Sequence, residues 1–319
     1  MSEAGKERWK VTHSVKPTTA AATAALAIAV GVAACGGKEK GPEGKPGAGR
    51  PPVTLGSKNF TEQFVLGQLY KQALEARGFR VTLKNNIGSS EITDKALTSG
   101  KIDAYPEYTG TILSTVAGRT QRPTSAKQAY RQAKRFEQRR GFTLTKPTPF
   151  FNTDALAVLR SYAKANHLRQ IPDLRPLGAR VTFGAPPESR TRFEGLVGLR
   201  RVYGLTGMRF RPLAIGLQYK ALDAGQIQTA DVFTTDGQLN GNRYTVLKDP
   251  RNVFGFQNVA MVVSKRVLQA QGPAFEKTIN AVSAKLTTQA MRRMNAAADL
   301  DKVPPAQVAH KFLKANDLL

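Results

Sequence analysis

Beyond residue 52 the chain alternates short apolar runs with longer stretches in which apolar residues recur every three to four positions. The short runs predict strands at 53–55, 79–83, 102–105, 155–159, 180–183, 231–233 and 259–263. The longer stretches predict helices at 61–77, 90–99, 125–139, 193–203, 218–224, 273–288 and 305–316. In the first helix Phe64, Val65, Leu69, Ala73 and Leu74 form the buried stripe, and Gly78 ends it. Strands alternating with helices predict an α/β fold.

One segment recurs. Lys95-Ala96-Leu97-Thr98-Ser99-Gly100-Lys101-Ile102 is echoed by Lys220-Ala221-Leu222-Asp223-Ala224-Gly225-Gln226-Ile227. Each copy reads as a helix end, a glycine cap and the start of a strand. Each strand delivers aromatic and hydroxyl groups, Tyr105 and Tyr108 in one, Phe233, Thr234 and Thr235 in the other. The pattern predicts two lobes of one plan. Open α/β sheets bind ligands at the carboxyl ends of their strands, so two such lobes facing each other make a cleft that closes about a hinge.

Two runs carry the candidate chemistry. Gly56-Ser57-Lys58-Asn59-Phe60-Thr61-Glu62-Gln63 joins the first strand to the first helix. A strand-to-helix turn aims backbone N–H groups and the positive helix end above the sheet, and Lys58 adds a full charge. Tyr105-Pro106-Glu107-Tyr108-Thr109-Gly110-Thr111 closes a strand and places aromatics and hydroxyls at its end. An anion corner beside an aromatic face suits a small zwitterion.

The first 34 residues carry Lys6, Arg8, Lys10 and Lys16, then an Ala-rich apolar run ending Val32-Ala33-Ala34 before Cys35. This is the pattern of a secretory signal, and Cys35, the sole cysteine, is the expected acylated residue of a lipoprotein on the extracytoplasmic face. Residues 35–52, rich in Gly, Pro and Lys, are expected to form a flexible tether. The net charge is +25. Basic residues are spread out, and an exported protein meets no nucleic acid, so nucleic-acid binding is not expected. The densest basic stretch, 119–146, reads as a solvated face, with attraction to anionic headgroups or wall polymers as the alternative. No hydrolase, nucleotide-binding or zinc motif occurs. No enzyme activity, cofactor or metal is expected.

The two runs resemble those of solute-binding proteins of glycine betaine/choline/osmoprotectant ABC transporters. Asp173-Leu174, Gly184-Ala185-Pro186-Pro187-Glu188 with Arg192, and Asp231-Val232-Phe233-Thr234-Thr235-Asp236-Gly237 follow in the family's order. The resemblance implies the two-lobed type II periplasmic-binding-protein fold, with 53–153 and 258–319 in one lobe and 154–257 in the other. It implies a monomer that hands a quaternary ammonium solute to an ABC permease. It implies cage positions at Tyr108, Asp154, Phe233 and Phe256, and anion positions at Lys58, Thr111 and Arg192 beside the Asn152 backbone. Asp154 departs from the family, where tyrosine is common. An acidic group there attracts a cation and repels a ligand carboxylate, so choline or another cation or a polyol competes with betaine. The remaining alternative is a basic surface-interaction lipoprotein with no transported ligand.

Overall fold

The computed structural model describes residues 44–319; Cys35, the predicted signal and the first part of the predicted tether lie outside the described residues. Ten strands form two five-stranded sheets. They are β1 Val53–Gly56, β2 Val81–Lys84, β3 Ala104–Tyr108, β4 Phe142–Leu144, β5 Asp154–Leu159, β6 Thr182–Ala185, β7 Arg209–Pro212, β8 Thr229–Phe233, β9 Tyr244–Val246 and β10 Val259–Ser264. The first sheet has the order β2-β1-β3-β10-β4 and the second β7-β6-β8-β5-β9. In each, one strand returned from the far lobe runs antiparallel, β10 between β3 and β4, β5 between β8 and β9. The remaining pairs are parallel. This is the two-lobed α/β architecture expected.

The duplication runs deeper than the repeated octapeptide. In the first lobe Ile102 presses on Gly56, where an added Cβ would lie 2.5 Å from its Cδ1. In the second lobe Ile227 presses on Gly184 at the same 2.5 Å. Neither glycine has room for a side chain. The neighbouring backbone repeats as well. Thr54 N donates to Asp103 Oδ2 at 2.8 Å and Thr182 N to Gln228 Oε1 at 3.0 Å. Counting on from Ile102 and Ile227, Tyr108 and Phe233 hold the same place at the ends of β3 and β8.

Each sheet buries its apolar faces under helices, a non-directional gain of roughly 1.5–3 kcal/mol per large side chain. In the first lobe the helix Thr61–Ala76 packs Val65, Leu66, Leu69 and Tyr70 against β1, β10 and the C-terminal helices. In the second lobe Leu196, Leu199 and Tyr203 cover β5 and β6. The chain crosses between lobes twice, and the two crossings pair: Phe151 bridges Asn258, and Asn152 N donates to Gln257 O at 3.1 Å.

Several predicted bounds shift. The Tyr105–Tyr108 run does not follow its strand but lies inside β3, because β10 pairs antiparallel with it as far as Tyr108 opposite Val259. The helix predicted at 193–203 is broken. Phe193–Val197 is a wide turn with Gly195 outside helical geometry, and regular helix runs only over Gly198–Tyr203. The helix predicted at 273–288 stops at Lys285, and a new one, Thr288–Asp299, starts where the Thr287 side chain accepts Ala290 N. The end of the predicted tether lies on the first lobe, with Gly47 N donating to Arg77 O and Arg50 Nη1 to Ala270 O.

Candidate functional site

The cleft between the sheets is walled by the ends of β1 and β3 on one side and of β5, β6 and β8 on the other. Its aromatic wall comes from both lobes. Phe60 stacks on Phe233 with ring centroids 5.2 Å apart and planes 23° apart, and on Tyr108 at 6.3 Å and 21°. Phe60 was not legible as a ring of the site, since it stands in the turn before the first helix. A gap of 5.2 Å leaves no room for a cation between Phe60 and Phe233; the rings form one wall and not two jaws.

Lys58 enters the site already paired. Its ammonium forms a buried salt bridge with Glu107 and donates to Ser90 Oγ at 3.1 Å. It also stands 4.3 Å over the Tyr108 ring and 5.6 Å from that of Phe60. Burial pulls the Lys58 pKa below its ordinary value, against the opposing pull of Glu107. The chain's own cation thus covers one face of Tyr108.

Glu62 is a second residue that the sequence did not disclose. It lies on the first turn of the first helix and is buried. Its Oε1 accepts from Tyr108 Oη at 2.7 Å and Asn152 Nδ2 at 2.9 Å; its Oε2 accepts from Thr235 Oγ1 and from Asn295 Nδ2 at 3.1 Å. Donors from the first lobe, a crossing strand and the second lobe converge on one carboxylate. Burial and the neighbouring Glu62 charge hold the Tyr108 pKa well above that of a free phenol, so its hydroxyl stays a donor.

Thr111 is held through Gln257, whose Oε1 accepts from Thr111 N at 3.0 Å and Oγ1 at 3.3 Å. Asn152 lines the cleft with its Oδ1 buried and unpartnered. Arg192 lines the cleft too, but its Nε and Nη2 grip Glu91 of the first lobe at 3.2 and 2.7 Å. Two of its three nitrogens therefore meet a carboxylate of this chain.

Asp154 and Phe233 face each other across the β5–β8 pair, and Asp231 lies two residues before Phe233 on the same face. Asp154 is pushed up to about 6, by burial and by Glu194, against the pull of Arg192. Asp231 is raised further by burial and by Asp154. Among the described residues neither makes a salt bridge. With Lys58 and Arg192 both matched by other carboxylates, the two acids of the second-lobe wall are left without an ion-pair partner among the described residues.

Seven of the eight expected positions, Lys58, Tyr108, Thr111, Asn152, Asp154, Arg192 and Phe233, line one cleft. Phe256 does not. It packs on the first-lobe cluster around Leu113 and Leu144 and lines a separate hollow behind the crossing strands with Phe254 and Gly255. Gly255, at φ +69°, turns the chain there.

Comparison with known proteins identifies the family. A family profile described as the substrate binding domain of ABC-type glycine betaine transport system matches residues 51–315. The glycine-betaine-binding protein of Pseudomonas aeruginosa is 34% identical over 278 residues, covering 84% of this chain and 88% of that protein. The carnitine transport binding protein OpuCC of Listeria monocytogenes is 27% identical over 277 residues, covering 86% and 90%. A crystal structure described as a glycine betaine/carnitine/choline ABC transporter superposes with a TM-score of 0.69 at 28% identity, covering 83% of this chain and 99% of that one. The chain belongs to the substrate-binding domains of ABC-type glycine betaine transport systems.

Proposed function

We propose that this substrate-binding protein captures a small quaternary ammonium compound between its lobes and delivers it to an ABC permease. The observation that carries the reading is the wall of Tyr108, Phe60 and Phe233, built from both lobes and flanked by Asp154. A trimethylammonium group has no N–H to donate. It is held only by diffuse attraction to ring faces and carboxylates, each ring worth ~0.5–2 kcal/mol. Lys58 already stands over Tyr108, so the ligand cation belongs on the side of Phe233 and Asp154.

A cation without a carboxylate fits this wall better than betaine, whose carboxylate would face Asp154 and Asp231. In the same reading Arg192 joins the lobes, and Lys58 and Thr111 order the first-lobe rim. Cys35 anchors the chain to lipid outside the cytoplasm, and the receptor works as a monomer. Calorimetry on the chain from Cys35 onward with betaine, choline, carnitine and ectoine tests it. Saturable heat is expected with at least one quaternary ammonium compound; heat from none of them rejects the reading.

A further inference from the structure

Among the described residues, two buried oxygens of the cleft wall have no hydrogen-bond partner, Asp231 Oδ1 and Asn152 Oδ1. Both belong to residues that are nine-tenths or more buried, at 3% and 5% exposure. Both are acceptors, Asp231 in its ionised form. The other oxygen of Asp231 takes only a 3.3 Å hydrogen bond from Ser189 Oγ. Lys58 and Arg192, the cations that line the cleft, are spent on Glu107 and Glu91. Buried polar groups are normally satisfied, and an orphan on a cleft wall marks where a ligand atom is wanted.

We infer that Asp231 is a direct ligand contact that accepts a hydrogen bond from the bound solute, so that the cleft selects cations carrying an O–H or N–H donor over fully substituted zwitterions. The inference rests on the quaternary ammonium reading above and sharpens it. Asp231 and Phe233 stand on one face of β8, two residues and about 7 Å apart along the strand. An ammonium against Phe233 and Asp154 therefore places a short hydroxylated arm at Asp231. A betaine in the same place would bring a carboxylate, which has no donor to offer the ionised Asp231 and could be met only by keeping Asp231 protonated. Asp231 faces Asp154 from β5, Ser189 and Arg192 from the β6 side, and Asp236 beyond its own strand. In the empty cleft burial and Asp154 favour its neutral form; an arriving cation offsets both and restores the accepting carboxylate.

Choline, its O-methyl ether and glycine betaine are titrated into the wild-type chain and into Asp231→Asn by calorimetry. The ether keeps the ammonium and loses only the donor. Choline is expected to bind the wild type about tenfold or more tightly than the ether, the scale of one hydrogen bond to a charged group. In Asp231→Asn that ratio is expected to fall several-fold. Equal binding of choline and ether overturns the inference on the wild type alone, so a variant that fails to fold does not protect it. An unchanged ratio in folded Asp231→Asn also overturns it. In either case the quaternary ammonium reading stands. Binding of none of the three overturns the inference, and the quaternary ammonium reading then stands or falls with carnitine.

Discussion

The Arg192 guanidinium and the Glu91 carboxylate meet edge to edge across the cleft, Nε to Oε1 at 3.2 Å and Nη2 to Oε2 at 2.7 Å. Glu91 lies in the first turn of the first-lobe helix Ser90–Thr98, and Arg192 precedes the broken turn of the second lobe. The pair is a strut between the lobes. Burial raises the Glu91 pKa, but Arg192 and Ser89 outweigh it and hold the value at about 2. Its contribution is present above the ordinary 4.5 and is lost only as pH falls through about 2. Because the Glu91 side chain is about half exposed, Glu91→Gln should weaken every ligand by about 2–5-fold and not more. Calorimetry with choline and betaine checks this; a loss confined to betaine would instead mean that Arg192 serves a ligand carboxylate.

Lys58 and Glu107 present the opposite case, a fully buried ion pair. Lys58→Met leaves Glu107 charged and unmatched, so urea denaturation should show a loss of about 3–5 kcal/mol. The double variant Lys58→Met with Glu107→Gln should recover most of it. If the double variant is no more stable than the single, the pair does not explain the cost.

Asp154 titrates at about 6 against 3.8 when free. A raised folded value means that its stabilising contribution is complete below about pH 4 and lost as pH rises through about 6, roughly 2–3 kcal/mol in all. Cation binding runs the other way, since it needs the carboxylate. Choline affinity should rise about tenfold or more from pH 5 to 7, and less steeply over that range in Asp154→Asn, where only Asp231 still has to ionise. The value is set among Arg192, Glu194 and Lys58, so the titration must be repeated in Asp154→Asn to isolate it. An equal slope in both proteins would assign the dependence elsewhere.

Glu62→Gln keeps one acceptor oxygen and turns an amide toward donors that expect none. Both ligand affinity and stability should drop, stability by about 2–4 kcal/mol on loss of charge-assisted bonds. Near-wild-type denaturation would show that the four donors rearrange without cost.

Cys35→Ala should release the protein from the membrane fraction while leaving choline affinity unchanged. Retention after a salt wash would disprove anchoring through that residue.

The regular lobe elements were legible because they carry period and punctuation together. The helix Thr61–Ala76 and the Gly100 and Gly225 caps are examples. The strands β4, β7 and β9 were not, being three or four residues at or near sheet edges, fixed by partners distant in sequence. Pro106 hid the length of β3, since proline argues against an inner strand until β10 supplies the pairing opposite it. The cleft positions of Tyr108 and Phe233 followed from motif and repeat. Phe60, Glu62 and Glu91 did not, because their roles exist only once two lobes face each other. Phe256 was misplaced since its ring and that of Phe254 straddle a glycine turn, and the sequence does not say which side each takes.

Lys45 to Pro52 and the last helix, Pro305–Ala315, both lie on the lobe that carries Lys58, Tyr108 and Glu62. Any pull delivered through the upstream chain therefore reaches that half first. In the anchored receptor proposed above that half would be the stator, and the half bearing Asp154, Asp231 and Phe233 the swinging jaw. A docking surface that senses whether cargo is aboard would have to follow the displacement of the jaw, and the place to seek it is the outer rim of the moving half.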